Sequence, residues 1–252
     1  MNDRWTRLIT IVVLLALFYG IKTVIKVVKE RKSYKKSLDE LLHKNAELEI
    51  NTTEDKAQGF GYKTRWIAIK TNEQQKVAEI LGLKNVQETN WNTGLANVYN
   101  NAVFITPPIG DWILAVGEGI PAGDTDKSVK EIKLILKQLS AEFNDAQFFC
   151  THRVVEFHCW MKAENGNVTR VYSYLGESGE NLCIEGKPTD AEKDYNFINT
   201  FSEDAKQDDY FEREDLDYPD EEIVNEIAEK WSVNPTTLED RSDIKGLGLV
   251  GE

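Results

Sequence analysis

Cysteine, histidine and methionine are scarce in this sequence, at three, three and two of 252 residues, and proline contributes six. An odd cysteine count with uneven spacing (Cys150, Cys159, Cys183) does not fit a secreted disulfide framework. It predicts free thiols in a reducing compartment. Positive charge is also short over most of the chain. Residues 37–252 carry 21 Lys/Arg against 41 Asp/Glu, whereas residues 1–36 carry nine against two. A body of that sign cannot neutralise phosphates, so no nucleic acid is expected as a partner. Disorder throughout is excluded by a hydrophobic fraction of 41% and six Trp.

Catalytic and cofactor signatures are missing too. Nothing supplies a nucleophile with its base, or an oxyanion hole, at recognisable spacing, so no catalytic residue is assigned. Gly246-Leu-Gly248-Leu-Val-Gly251 matches G-x-G-x-x-G in letters, but no helix follows to hold a phosphate. No cofactor is expected, and residues 246–252 read as a loose tail. Cys150, His152, His158 and Cys159 lie within ten residues. If Gln147–Lys162 is one extended strand, His152 and His158 stand roughly 20 Å apart, too far for a compact tetrahedral site. No metal ligand is assigned.

What is present begins with Leu8–Val28, 21 residues broken only by Lys22 and Lys26 near one end. That length spans a bilayer as a helix, and predicts an N-terminal membrane anchor. No small-x-small site follows it, which argues against a cleaved signal peptide. Seven basic residues between Lys22 and Lys36 flank its C-terminal side. They place the soluble domain in the cytoplasm, beside a cell (inner) membrane crossed once. Leu38, Leu41, Leu42, Ala46 and Leu48 then continue a helical stripe, a stalk able to support weak self-association. Asn51–Gly61 reads as a polar linker.

The rest divides into an anchor (1–28), a basic stalk and linker (29–61), a folded domain (62–189) and an acidic segment with short C-terminal helices (190–252). In the domain, Thr64–Lys70, Val103–Thr106 and Trp112–Val116 alternate as strands, and Ser128–Phe143 carries one apolar helical face. Gln147–Lys162 and Val168–Leu175 form a hairpin about Asn165-Gly166. Its register puts Phe157, Cys159 and Met161 on one face with Tyr172 and Tyr174, and Glu156, His158 and Trp160 on the other. The expected fold is α+β: a mixed or mostly antiparallel sheet with packed helices, preceded by one N-terminal transmembrane helix and a helical stalk. Residues 190–222, with 14 acidic and three basic side chains, read as solvated and partly flexible.

Ile227–Leu238 resembles the helix-turn-helix of DNA-binding repressors: Ala228 stands at the small position and Ser232-Val233 where Gly-Val marks the turn. Trp231 and the acidic pair Glu239-Asp240 depart from that pattern. The functional expectation is therefore a membrane-anchored protein whose acidic domain binds another, basic protein in an immunity-like role. Its candidate contact face is Arg153, Glu156, His158 and Trp160, since Trp and Arg anchor interfaces. The alternative is a membrane-tethered hydrolase-like enzyme using His152, Glu156 and His158.

Overall fold

The computed structural model describes residues 50–252. Nine strands are present: β1 Arg65–Ile69, β2 Gln87–Thr89, β3 Val103–Ile105, β4 Ile113–Val116, β5 Asp145–His152, β6 Phe157–Glu164, β7 Asn167–Leu175, β8 Glu180–Glu185 and β9 Gly248–Gly251. Four α-helices join them: α1 Gln74–Leu81, α2 Trp91–Asn97, α3 Asp126–Phe143 and α4 Glu221–Trp231. The strands make one sheet in the order β2-β9-β3-β4-β1-β5-β6-β7-β8. Neighbours run antiparallel throughout.

This architecture corrects the expected fold. The described chain is a mostly antiparallel nine-stranded sheet with few helices. No helix among the described residues is long and apolar enough to cross a membrane. The segment Leu8–Val28 and the stalk as far as residue 49 lie outside the described residues. The stretch after them, residues 50–61, is extended and strapped to the domain rather than free. Asp55 accepts from the Trp91 and Asn92 amides at 2.9 Å each, capping α2, and Ala57 is buried.

The sheet is covered on both faces, which is why β1, β4 and β5 are apolar almost without alternation. On one face, α1 and α3 pack over Ile67, Ile69, Phe148, Cys159 and Met161. Thr125 and Ser128 close a capping box at the start of α3. On the other face, α2, α4 and the irregular 190–218 segment cover Trp66, Phe104, Phe149, Trp160 and Tyr172.

Three further expectations change. The stretch 147–162 is not one strand. It folds back at Arg153–Glu156, so that Cys150 faces Cys159 and Thr151 faces His158. No Gly, Pro or Asn marks this turn. Instead Glu156 takes φ 51°, and its carbonyl and that of Val155 accept from the Gly176 and Glu177 amides. A neighbouring turn holds it, not local propensity.

The Asn165-Gly166 hairpin forms as expected, but the register shifts between Lys162 and Ala163. That bulge moves β7 by one residue, so Tyr172 faces Trp160 and Tyr174 faces His158. Lastly, 248–251 is an interior strand rather than a loose tail, paired with β2 on one side and β3 on the other. Two glycines of the G-x-G-x-x-G match, Gly248 and Gly251, are closely packed, whereas Gly246 turns the chain at φ 92°. A Cβ on Gly248 would stand 2.3 Å from the Phe104 ring.

Candidate functional site

Of the four residues of the predicted contact face, two are at the surface and two are inside. Arg153 projects from the β5–β6 turn with its side chain 66% exposed, 3.8 Å from Glu221. Glu156 is exposed at the same turn. His158 and Trp160 are 3% and 0% exposed. The four therefore do not share one open surface, because α4 and the chain before it lie over the face that carries the last two. Burial holds the His158 imidazole neutral, with its pKa down to about 4 despite the nearby Asp220 carboxylate.

His152 is separated from His158 by the pleat, one facing Phe157 and the other Thr151. The fold-back nevertheless brings Cys150 and Cys159 directly opposite one another, which the single-strand geometry did not foresee. Both thiols are buried, and burial raises their pKa, that of Cys150 to about 12. Among the described residues, no three His, Cys, Asp or Glu side chains are grouped to hold a metal ion.

Trp160 belongs to a buried polar clasp. Its indole N–H donates to Glu192 at 3.0 Å. The Arg170 guanidinium grips the same carboxylate, Nε at 2.9 Å and Nη2 at 2.6 Å from one oxygen. The other oxygen accepts from the Thr189 amide and hydroxyl at 2.8 and 3.0 Å. Trp231 of α4 donates in turn to the Thr189 hydroxyl. One carboxylate thus ties β6, β7, the Thr189 turn and, through it, α4 into a single block.

The acidic stretch that follows this block is ordered. Its two ends zip together: the Asn196 amide donates to the Asp217 carboxylate at 2.6 Å, and the Ile198 and Asp217 amides donate to Asp217 and Asn196 carbonyls. Tyr172 donates to the Ile198 carbonyl from the sheet below. Inside the loop, Tyr210 is buried and its hydroxyl bonds both the amide and the carbonyl of Asn199. Leu216 is buried as a second plug. The result is a compact surface loop closed at its base, with its own small core.

What that loop presents outward is a mixture of carboxylates and bare rings. Residues 199–218 hold eight Asp/Glu and two Lys/Arg. Both bases are already taken, Lys206 by Glu203 at 2.6 Å and Arg213 by Asp215 at 2.6 Å. The Asp208, Asp209, Glu212 and Glu214 carboxylates are exposed. Among them Phe201 is 61%, Phe211 51% and Tyr218 43% exposed. This surface of rings and carboxylates escaped the sequence reading, although Tyr210-Phe211 inside an acidic run was a visible signal. The run's charge suggested solvation, and the buried tyrosine that orders it was not legible as such.

The helix-turn-helix resemblance does not extend to the structure. After α4 the chain enters a 3₁₀ helix at Pro235–Asp240, capped by Asn234, with Leu238 buried against the domain. No recognition α-helix stands there. No family model, curated protein or solved structure matches this chain, so a functional reading rests on its own geometry.

Proposed function

We propose that this chain is a protein-binding domain whose acidic, aromatic loop at residues 199–218 receives a basic partner protein. The observation that carries the reading is the pairing of exposed Phe201, Phe211 and Tyr218 with carboxylates that have no internal base to satisfy them. Aromatic anchors supply the desolvated centre of an interface, and a rim of one sign selects and steers a partner of the other. Immunity-like capture of a basic toxin is one role of this kind. The apolar segment Leu8–Val28 and its basic flank support attachment at a cell membrane, with the domain on the cytoplasmic side. The hydrolase-like alternative draws no support from the position of His158 beneath α4.

The test is site-specific crosslinking. A photoreactive phenylalanine analogue is placed at Phe211 and, as a control, at exposed Leu134 on the opposite face of the sheet. The expected result is an adduct with one basic protein from position 211, absent from 134 and reduced by Phe201→Ala. An adduct equally strong from both positions, or an acidic partner, refutes the reading.

A further inference from the structure

Positive charge is sparse on the folded domain: residues 50–252 carry 20 Lys/Arg against 37 Asp/Glu. Four of the 20 are lysines of one helix, α3, and no other helix or strand among the described residues carries more than one basic residue. α3 buries Val129, Ile132, Leu136, Leu139 and Phe143 against the sheet, so its opposite side faces outward. At about 100° per residue, Lys127, Lys130 and Lys137 all fall within about 60° of Leu134 on that side. Leu134 is 62% exposed and the Lys127 side chain 87%, and Lys130 and Lys137 are exposed too. One apolar side chain is thus flanked by three ammonium groups.

The helix also carries three carboxylates, and they leave this stripe positive. Glu131 is paired with Lys127 at 3.4 Å. Asp126 and Glu142 sit at opposite ends of the helix, each about 80° round from Leu134. Lys133, on the flank, is bound to Glu185 at 2.6 Å. Among the described residues Lys130 and Lys137 close no ion pair. Their charge is not spent within the domain.

We infer that the exposed face of α3 rests on the anionic headgroups of a lipid bilayer. Two features favour lipid over an acidic protein. The basic residues of α3 are all lysine, and its exposed stripe holds no aromatic ring. Protein interfaces are depleted in lysine and anchored by arginine and aromatic side chains. Lysine is a point charge suited to a diffuse layer of phosphates, with its stem lying along the apolar boundary. The rest of the domain is strongly acidic and is repelled by the same surface, so α3 is the face that the field selects. The inference rests on the membrane attachment proposed above, which holds the domain beside the bilayer so that a few weak contacts suffice. It also orients the acidic loop: residues 199–218 lie over the other face of the sheet and point away from the lipid, toward the basic partner.

The test reconstitutes the full-length chain into vesicles of phosphatidylcholine, alone or with about 30% phosphatidylserine. An environment-sensitive fluorescent amino acid replaces Leu134 or, as a control, Phe211, and a nitroxide on the lipid headgroups serves as quencher. Flotation of the vesicles reports attachment separately. The expected result is quenching at 134 that rises about twofold or more with phosphatidylserine, is reversed by about 0.5 M NaCl, and is absent at 211. Lys130→Glu/Lys137→Glu should remove it with the melting profile unchanged, each lysine accounting for roughly a fivefold change in the bound-to-free ratio of this face. A chain that floats but shows no quenching at 134, or equal quenching at 134 and 211, overturns the inference and leaves the attachment reading standing. Flotation with the anionic vesicles alone, lost in the double variant, supports the α3 contact and overturns the anchor. Flotation with neither overturns both. A fluorescence change at 134 that grows with protein concentration in lipid-free detergent assigns the face to a second copy and overturns the inference as well.

Discussion

Arg170→Met should be the most damaging single change on the clasp, and its size follows from what it leaves behind. The Arg170 and Glu192 side chains are 3% and 0% exposed. Methionine fills much of the arginine's volume but strands a carboxylate with no counter-charge. Removing one partner of a buried pair costs about 3–5 kcal/mol. Glu192 keeps three donors, Trp160 Nε1 and the Thr189 amide and hydroxyl, so the lower end, about 3 kcal/mol, is expected. Against a total stability of roughly 5–15 kcal/mol, that is a large fraction.

In Arg170→Met/Glu192→Gln no buried charge is left, although the single amide oxygen accepts from either Trp160 or Thr189 and no longer from both. The double variant should therefore be more stable than Arg170→Met alone, which is the signature of coupling in a double-mutant cycle. Urea unfolding followed by tryptophan fluorescence measures all four proteins. A loss below about 0.5 kcal/mol for Arg170→Met, or a double variant no better than the single, would falsify the clasp.

Acid should weaken the fold through His158. Its pKa is lowered from 6.5 to about 4 by burial, so the unfolded chain binds the proton first. Its share of stability is full above pH 6.5 and falls by about 1.4 kcal/mol per pH unit as pH drops toward 4. Denaturation at pH 7 and 4.5 should show this in the wild type and show less of it in His158→Gln. Gly248→Ala should destabilise by about 1–3 kcal/mol through overpacking on Phe104, read as a lower urea midpoint; an unchanged midpoint would mean that the ring moves aside freely. Of the three thiols, Cys183 alone is partly exposed. It should react first with a thiol reagent on the native protein, Cys150 and Cys159 following only on unfolding, as peptide mapping would reveal.

How far the sequence could be read depended on whether a residue's job was set by its neighbours along the chain. The apolar face of α3, the strand at β1 and the Asn165-Gly166 turn are local patterns, and each is where periodicity and turn chemistry put it. The turn at Arg153–Glu156 is held by amides twenty residues away, so nothing nearby announced it. The bulge at Lys162/Ala163 leaves no mark in hydrophobicity, yet it reverses which face Tyr172 and Tyr174 occupy. The candidate site suffered most from this. Trp160 resembles an interface anchor by type, but its indole is spent on Glu192.

The position of β9 also bears on how the chain acquires its shape. Strands β5 to β8 follow one another as a meander, so each needs only a short loop to find its neighbour. By contrast β2 and β3 are joined through a strand about 150 residues further on, clamped at its far end by reciprocal bonds between Lys84 and Glu252. Contacts between residues so distant in sequence form late, because the loop entropy is lost before the ladder is gained. The meander can therefore assemble early, while the β2-β9-β3 edge waits. Until β9 arrives, β3 presents an unpaired apolar border, Val-Phe-Ile, to the solution. Aggregation during refolding should start from that border.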